Sequence, residues 1–149
     1  MDEKNRTIMW NILRDNTSYN AELEKEMFTE ELNELFEAIR ARDLVEILDA
    51  LADMRFVLLG SEFKGNLEDE VVDFDMAWYD SYRLVDYLVE VKNFDELFEE
   101  IYDNVITANE RKPAVKYEQG KIIKGPNFVA PNESHKRTIE KFGAKLREY

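Results

Sequence analysis

Two neighbouring stretches concentrate carboxylates at helical spacing. Glu30, Glu31 and Glu34 form a Glu-Glu-x-x-Glu run, and Glu46, Asp49 and Asp53 follow shortly after it. At 100° per residue the second trio falls within one arc of about 60° on a helix wheel. Ala50, Phe56, Val57 and Gly60 share that arc, and no lysine between residues 44 and 63 does; the nearest base, Arg42, precedes the first turn. Like charges stacked at i, i+3 and i+7 repel, and a carboxylate buried without a partner is costly. A cation is therefore expected to meet them. Glu31 and Glu34 lie beside Met27 and Ala38, and a small residue such as Ala38 permits close approach of a second helix. If the two helices pack antiparallel through Ala41-Arg42-Asp43, four or more carboxylate oxygens surround one space. Hard oxygen donors in that number suit Mg²⁺, with Mn²⁺ as the other candidate. Periodicity alone also admits the plainer reading, a solvated acidic surface.

The elements that must position these acids read as helices. The chain has 149 residues, 44% of them apolar and 12% aromatic, with five Gly and three Pro; such a composition favours a helical core over strands and turns. Helices are expected over residues 4–14, 19–41, 44–63, 68–92 and 95–110, with a short one over 134–146. Asn16-Thr17-Ser18 breaks the first and can cap the second, Asp43 is the expected N-cap of the third, and Asp95 that of the fifth. Pro113 stops helical propagation. Residues 113–133 contain Gly120, Gly125, Pro126 and Pro131 and read as an ordered loop, with an extended pair around Lys121-Ile122-Ile123-Lys124. The expected fold class is all-α, a bundle of four to five core helices forming one domain over 1–149, with a basic loop and short helix at its C-terminal end.

Composition also excludes chemistries. No cysteine is present, so disulfides, thiolate nucleophiles and sulfur-ligated zinc are ruled out. His135 is the one histidine, too few for a histidine metal site or a nucleophile triad, and no P-loop occurs. The charged opening residues are not those of a signal peptide, and no apolar run approaches a membrane span; a cytoplasmic protein without membrane attachment is expected. A net charge of −13 argues against binding a nucleic-acid backbone. That total hides a split: residues 1–110 hold 29 acids and 10 bases, whereas residues 111–149 hold 4 acids and 10 bases. Charge alone admits a solvated acidic body with a basic tail.

At this point a resemblance emerges. The stretch Phe28-Thr29-Glu30-Glu31-Leu32-Asn33-Glu34 through Glu46-Ile47-Leu48-Asp49-Ala50-Leu51-Ala52-Asp53 to Gly60 resembles the MazG-like and phosphoribosyl-ATP pyrophosphohydrolase-like superfamily. That superfamily is marked by Glu-Glu-x-x-Glu, a spacer, then Glu-x-x-Asp. The Asp-Ala-Leu-Ala-Asp stretch is similar to the small, often phage-encoded members, for which host cytoplasm would be the location. Asn109-Glu110-Arg111-Lys112 is similar to the superfamily's Asn-x-x-Lys element. Gly120-Lys121-Ile122-Ile123-Lys124-Gly125-Pro126-Asn127-Phe128 through Pro131 resembles its tail. The stretch 61–96 is longer than the usual link between core helices, and its role stays open.

The resemblance implies hydrolysis of a (deoxy)nucleoside triphosphate between its α and β phosphates, giving a monophosphate and pyrophosphate, as nucleotide-pool housekeeping. The implied metal ligands are Glu31, Glu34 and Asp49, with either Glu46 or Asp53. Glu30 or Glu34 is the implied base for the attacking water. Arg111, Lys112, Lys121 and Lys124 are expected on the polyphosphate, and Asn109 on base or sugar. Residues 113–149 would thereby complete the site. Hydrolysis of dUTP, dUDP or phosphoribosyl-ATP fits the same fold. A catalytically silent helical partner-binding protein, using the aromatic stretch 74–87, belongs to another class. Phe74, Met76, Trp78, Tyr79, Tyr82, Leu84, Val85, Tyr87 and Leu88 leave the fourth helix apolar over much of its circumference. A homodimer or homotetramer is therefore expected.

Overall fold

The computed structural model describes residues 2–65, 68–112, 117–118, 121–122, 125 and 128–148, with the backbone alone at 117–118 and 121–122. Among these, six helices account for almost all regular structure: α1 (Glu3–Leu13), α2 (Ala21–Ala41), α3 (Leu44–Gly65), α4 (Asp69–Leu88), α5 (Phe94–Glu110) and α6 (Asn132–Phe142). The all-α expectation is borne out.

α2 and α3 form an antiparallel hairpin. Arg42 closes α2 in the left-handed region at φ 51°, with its N–H returned to the carbonyls of Ala38 and Ile39. The backbone N–H of Glu46 donates to Asp43 Oδ1 at 3.2 Å, so Asp43 does cap α3. Ile47, Leu48, Leu51, Met54 and Leu58 are fully buried, and so are Ala52 and Ser61. A helix apolar around most of its circumference belongs in the centre of a bundle. α3 accordingly packs against α1, α2, α4, α5 and α6.

α4 divides its aromatic residues by face. Phe74 stacks on Phe28 with ring centroids 4.5 Å apart. Trp78 donates its indole N–H to the Leu51 carbonyl at 3.1 Å, with the Arg55 guanidinium 4.6 Å above its ring. Met76, Tyr79 and Tyr87 remain exposed. α1 is tied to α5: Trp10 Nε1 donates to the Asn109 carbonyl at 2.8 Å. Arg14 donates to the carbonyls of Glu110 and Lys112. A guanidinium there satisfies carbonyls that the end of α5 leaves without helical partners.

Several boundaries differ from the pattern-based expectation. Asn20, rather than the Asn16–Ser18 segment, caps α2 by accepting from the Leu23 N–H at 3.1 Å. Asn93, not Asp95, caps α5, accepting from the Glu96 N–H at 3.2 Å. The earlier start lets Phe94 enter the core against Tyr82 and Phe98, and Asp95 instead accepts from the Tyr82 hydroxyl. α4 stops at Leu88 because Val89–Glu90 (β1) pairs antiparallel with Lys145–Leu146 (β4). That pairing also ends α6 at Phe142, where Gly143 takes φ +64°. In the tail, Tyr117–Glu118 (β2) pairs with Lys121–Ile122 (β3). Finally, α3 runs two residues beyond the expected 63. The two added residues bring Lys64 onto the same arc as Asp53, eleven residues earlier.

Candidate active site

The α2–α3 hairpin brings the two acidic runs face to face. Carboxylate oxygens of Glu31, Glu34 and Asp53 all lie within 4.8 Å of one another. Asp49 stands beside this group, close enough that its charge acts on both Asp53 and Glu31. Glu46 does not join it. One turn nearer the start of α3, it is exposed and accepts from Asn132 Nδ2 at 2.8 Å. Glu30 is exposed at the rim of the cavity that these acids line.

Crowding and burial leave the acids strained electrostatically. Burial, and then the charge of Glu34, push the Glu31 carboxyl up to about 8. Burial, and then the charges of Asp49 and Glu31, hold Asp53 well above the usual carboxylate range. Glu46, exposed but partly shielded from water by its neighbours, is raised by that partial desolvation and by Asp49, and Asn132 offsets part of it. Like charges sharing a dry space resist joint ionisation. Within the group, Glu31 Oε2 is buried with no hydrogen-bond partner. A buried acceptor is normally satisfied. An orphaned carboxylate oxygen among three other acids is the donor set that a hard divalent cation would complete. Glu31, Glu34, Asp49 and Asp53 could hold such an ion.

The cavity has a volume of about 770 Å³ and follows the face of α3 from Asp49 to Lys64. Helical rise makes that run about 20 Å long. Beyond the acids its character changes. Trp10 and Phe56 meet edge to face with centroids 5.0 Å apart, and Asn11, Asn16 and Asn109 also line the space. Asn16 Nδ2 donates to Asn11 Oδ1 at 2.7 Å. At the end of the run lies an ion pair: Lys64 Nζ is 2.9 Å from a Glu24 carboxylate oxygen, their side chains only 3% and 1% exposed. Ser61 donates to the same carboxylate at 2.8 Å.

The basic residues expected around a polyphosphate separate. Lys112 lines the cavity, with Nζ 5.8 Å from the centre of the Phe128 ring. Arg111 is exposed and donates to the Val129 carbonyl at 3.3 Å, outside the cavity wall. Only the backbone of Lys121 is described, and Lys124 lies outside the described residues. Asn109 is buried in the wall, donating Nδ2 to the Val105 carbonyl at 3.0 Å.

Several site residues are not among those expected from the sequence. Glu24 carried a legible signal, since it is seven residues before Glu31 and shares its helix face; Lys64 fell beyond the helix end expected at 63. Asn11, Asn16, Asn132 and His135 carried none: Asn11 and Asn16 line the far part of the cavity from α1 and the loop after it, and Asn132 and His135 reach Glu46 and Asp49 from α6, distant in sequence. His135, fully buried, places Nε2 2.8 Å from Asp49 Oδ1.

Residues 5–73 match the family model described as phosphoribosyl-ATP pyrophosphohydrolase. This family is part of the MazG-like all-α nucleoside triphosphate pyrophosphohydrolase superfamily, so the resemblance read from the acidic runs holds over that stretch. The match covers α1, α2, α3 and the start of α4, and with them every acid of the cluster. No curated protein and no solved structure matches the chain. Among the described residues no helix is long and apolar enough to cross a membrane.

Proposed function

We propose that this chain, whose residues 5–73 fall within a pyrophosphohydrolase family, is a divalent-metal-dependent hydrolase of (deoxy)nucleoside triphosphates, releasing the monophosphate and pyrophosphate. The observation that carries this reading is the buried, unpartnered Glu31 Oε2, on a carboxylate that lies within 4.8 Å of those of Glu34 and Asp53. A bound Mg²⁺ or Mn²⁺ supplies neutralisation of the polyphosphate and of the charge that develops as the bridging P–O bond breaks. Glu31, Glu34, Asp49 and Asp53 are the residues that would hold it.

The chain's own residues divide the remaining tasks. Glu34, at the exposed edge of the group, or Glu30 beside it, accepts the proton of the attacking water. A new P–O bond forms from that water, and the α–β bridging oxygen departs with pyrophosphate. Lys112 contributes positive charge at the cavity wall, assisted from the tail by Lys121 and Lys124, while Arg111 braces the loop at Val129. The nucleoside lies toward Trp10 and Phe56, where Asn11, Asn16 and Asn109 offer amide donors and acceptors to base and sugar. Such hydrolysis acts on nucleotide pools, which implies a cytoplasmic setting.

The description of the matching family favours a second substrate, phosphoribosyl-ATP, for the same bond cleavage. The test covers both. Purified protein with Mg²⁺ is offered the eight common NTPs and dNTPs, dUTP, dUDP and phosphoribosyl-ATP, and pyrophosphate or phosphate release is followed. Release from at least one is expected. Folded protein that releases neither from any of them would end the reading. A catalytically silent partner-binding protein would instead show no rise in melting temperature with Mg²⁺ and nucleotide.

Self-association goes with this reading. The exposed Met76, Tyr79 and Tyr87 of α4 support a homodimer or homotetramer. Light scattering at micromolar concentration checks it, and a monomer mass throughout would count against it.

A further inference from the structure

His135 has no part in the acidic motifs, yet it is 0% exposed and placed between two partners. Nε2 is 2.8 Å from Asp49 Oδ1 on α3. Nδ1 is 3.3 Å from Asn104 Nδ2 on α5. Which nitrogen carries the proton follows from the bonds behind it. Asn104 Nδ2 also lies 3.1 Å from Thr138 Oγ1. The Thr138 hydroxyl proton goes to the Ser134 carbonyl at 3.0 Å or to the Glu100 carboxylate, and both of these only accept. Thr138 Oγ1 must therefore accept from Asn104, so the amide turns its NH₂ toward α6. The same NH₂ faces His135 Nδ1, which must be the bare nitrogen. The proton is left on Nε2, directed at Asp49.

Resting on the metal-site reading above, we propose that His135 is a positioning residue: an imidazole locked by Asn104 and Thr138 in the Nε2–H form, donating to Asp49 and holding that carboxylate oriented toward Asp53 and the cation. Groups of this kind fix the rotamer of a ligating side chain and leave its other oxygen to face the metal. The arrangement also gives α6 a reason to dock on the hairpin. Asn132, one turn earlier on α6, holds Glu46 in the same way.

The chain contains one histidine, so nitrogen NMR of ¹⁵N-histidine-labelled, metal-free protein reports on this ring alone. The expected spectrum is that of a neutral ring protonated at Nε2; a ring protonated at Nδ1 would overturn the proposal. Metal affinity gives the second readout, with Mn²⁺ as the probe. His135→Leu removes the donor and is expected to weaken Mn²⁺ binding about 10- to 100-fold. His135→Gln supplies an amide N–H in place of Nε2–H and is expected to restore most of that loss. Wild-type affinity in a folded His135→Leu variant, or no recovery in His135→Gln, would overturn the assignment. Should His135→Leu not fold, Asn104→Ala carries the test. An Nδ1–H population and weaker Mn²⁺ binding are then expected, and unchanged shifts and affinity would overturn the proposal. A wild-type chain that binds no Mn²⁺ defeats the metal reading, and with it Asp49's role as a ligand. The tautomer, read on metal-free protein, is settled separately by the nitrogen shifts.

Discussion

Glu31 and Asp53 face each other across the α2–α3 seam, with carboxylate oxygens within 4.8 Å of one another and of Glu34. Burial raises both above the ordinary carboxylate range. In the metal-free protein the group therefore retains a proton at neutral pH, and a divalent cation must displace it.

The direction of the pH effect follows from that relationship. The Glu31 carboxyl sits at about 8 in the folded chain, far above its value in an unfolded one. The folded state thus binds the proton more tightly. Its stabilising contribution is complete below the unfolded value and is lost as pH rises through about 8. The metal-free melting temperature should fall between pH 5 and pH 9 by roughly a few degrees. Glu31→Gln should flatten that fall, and saturating Mg²⁺ should reverse it. Calorimetry at pH 7 in buffers of different ionisation enthalpy should show proton release on Mg²⁺ binding. A pH-independent melting temperature together with proton-free binding would contradict this account.

Glu34→Gln and Asp49→Asn are expected to lower turnover by at least about 100-fold, with helicity near wild type by circular dichroism. Asp53→Asn should do the same while lessening the loss of metal-free melting temperature at high pH, because it removes a carboxyl whose ionisation burial and its neighbours disfavour. Glu46→Gln should reduce turnover only several-fold, since Glu46 bonds Asn132 outside the group. Equal losses from Glu46→Gln and Asp53→Asn would show that both approach the metal during turnover.

At the far end of the cavity, Lys64 and Glu24 are paired with almost no exposure. Breaking a buried pair by removing one partner leaves a buried charge and costs about 3–5 kcal/mol. Lys64→Met should therefore lower stability to denaturant by that order. The double variant Glu24→Gln, Lys64→Met should recover much of it. A Lys64→Met protein as stable as wild type would mean that water reaches Glu24 freely.

Gly60 lies on the cavity face of α3, where an added Cβ would meet Asn11 Nδ2 at 3.5 Å, an ordinary contact. Gly60→Ala should keep activity and gain up to about 1 kcal/mol of helix stability. Gly60→Leu should fill the space beside Asn11 and raise KM with little change in kcat, as read from initial rates. A parallel fall in kcat would place Gly60 nearer the reacting phosphates than the geometry suggests.

Much of the hairpin could be read directly from the chain. Its acids repeat with the period of a helix, and Asp43 both caps α3 and shortens the turn, so facing carboxylates followed from local rules. The same rules misplaced the ends. Whether Asn93 or Asp95 caps α5 depends on the burial of Phe94 in a core built by Tyr82 and Phe98. The stops of α4 and α6 depend on a β1–β4 pairing between segments far apart in sequence. Lys64 was lost from the acidic face for the same reason, because an end set by packing against Glu24 is invisible to periodicity.

By itself, then, the sequence determined the all-α class, the two acidic runs and their meeting on one hairpin, since helix period and a two-residue turn leave few other arrangements. Tertiary structure alone decided which acids converge. Glu46 is drawn away by Asn132 and Asp53 is kept in the group, although both satisfy the same wheel. It also decided that His135, 86 residues from Asp49, would be that carboxylate's partner. The physical reason is the same in both cases: a helix wheel gives directions around one axis. Distance between side chains on different helices arises only when the core packs, and carboxylate chemistry depends on those distances.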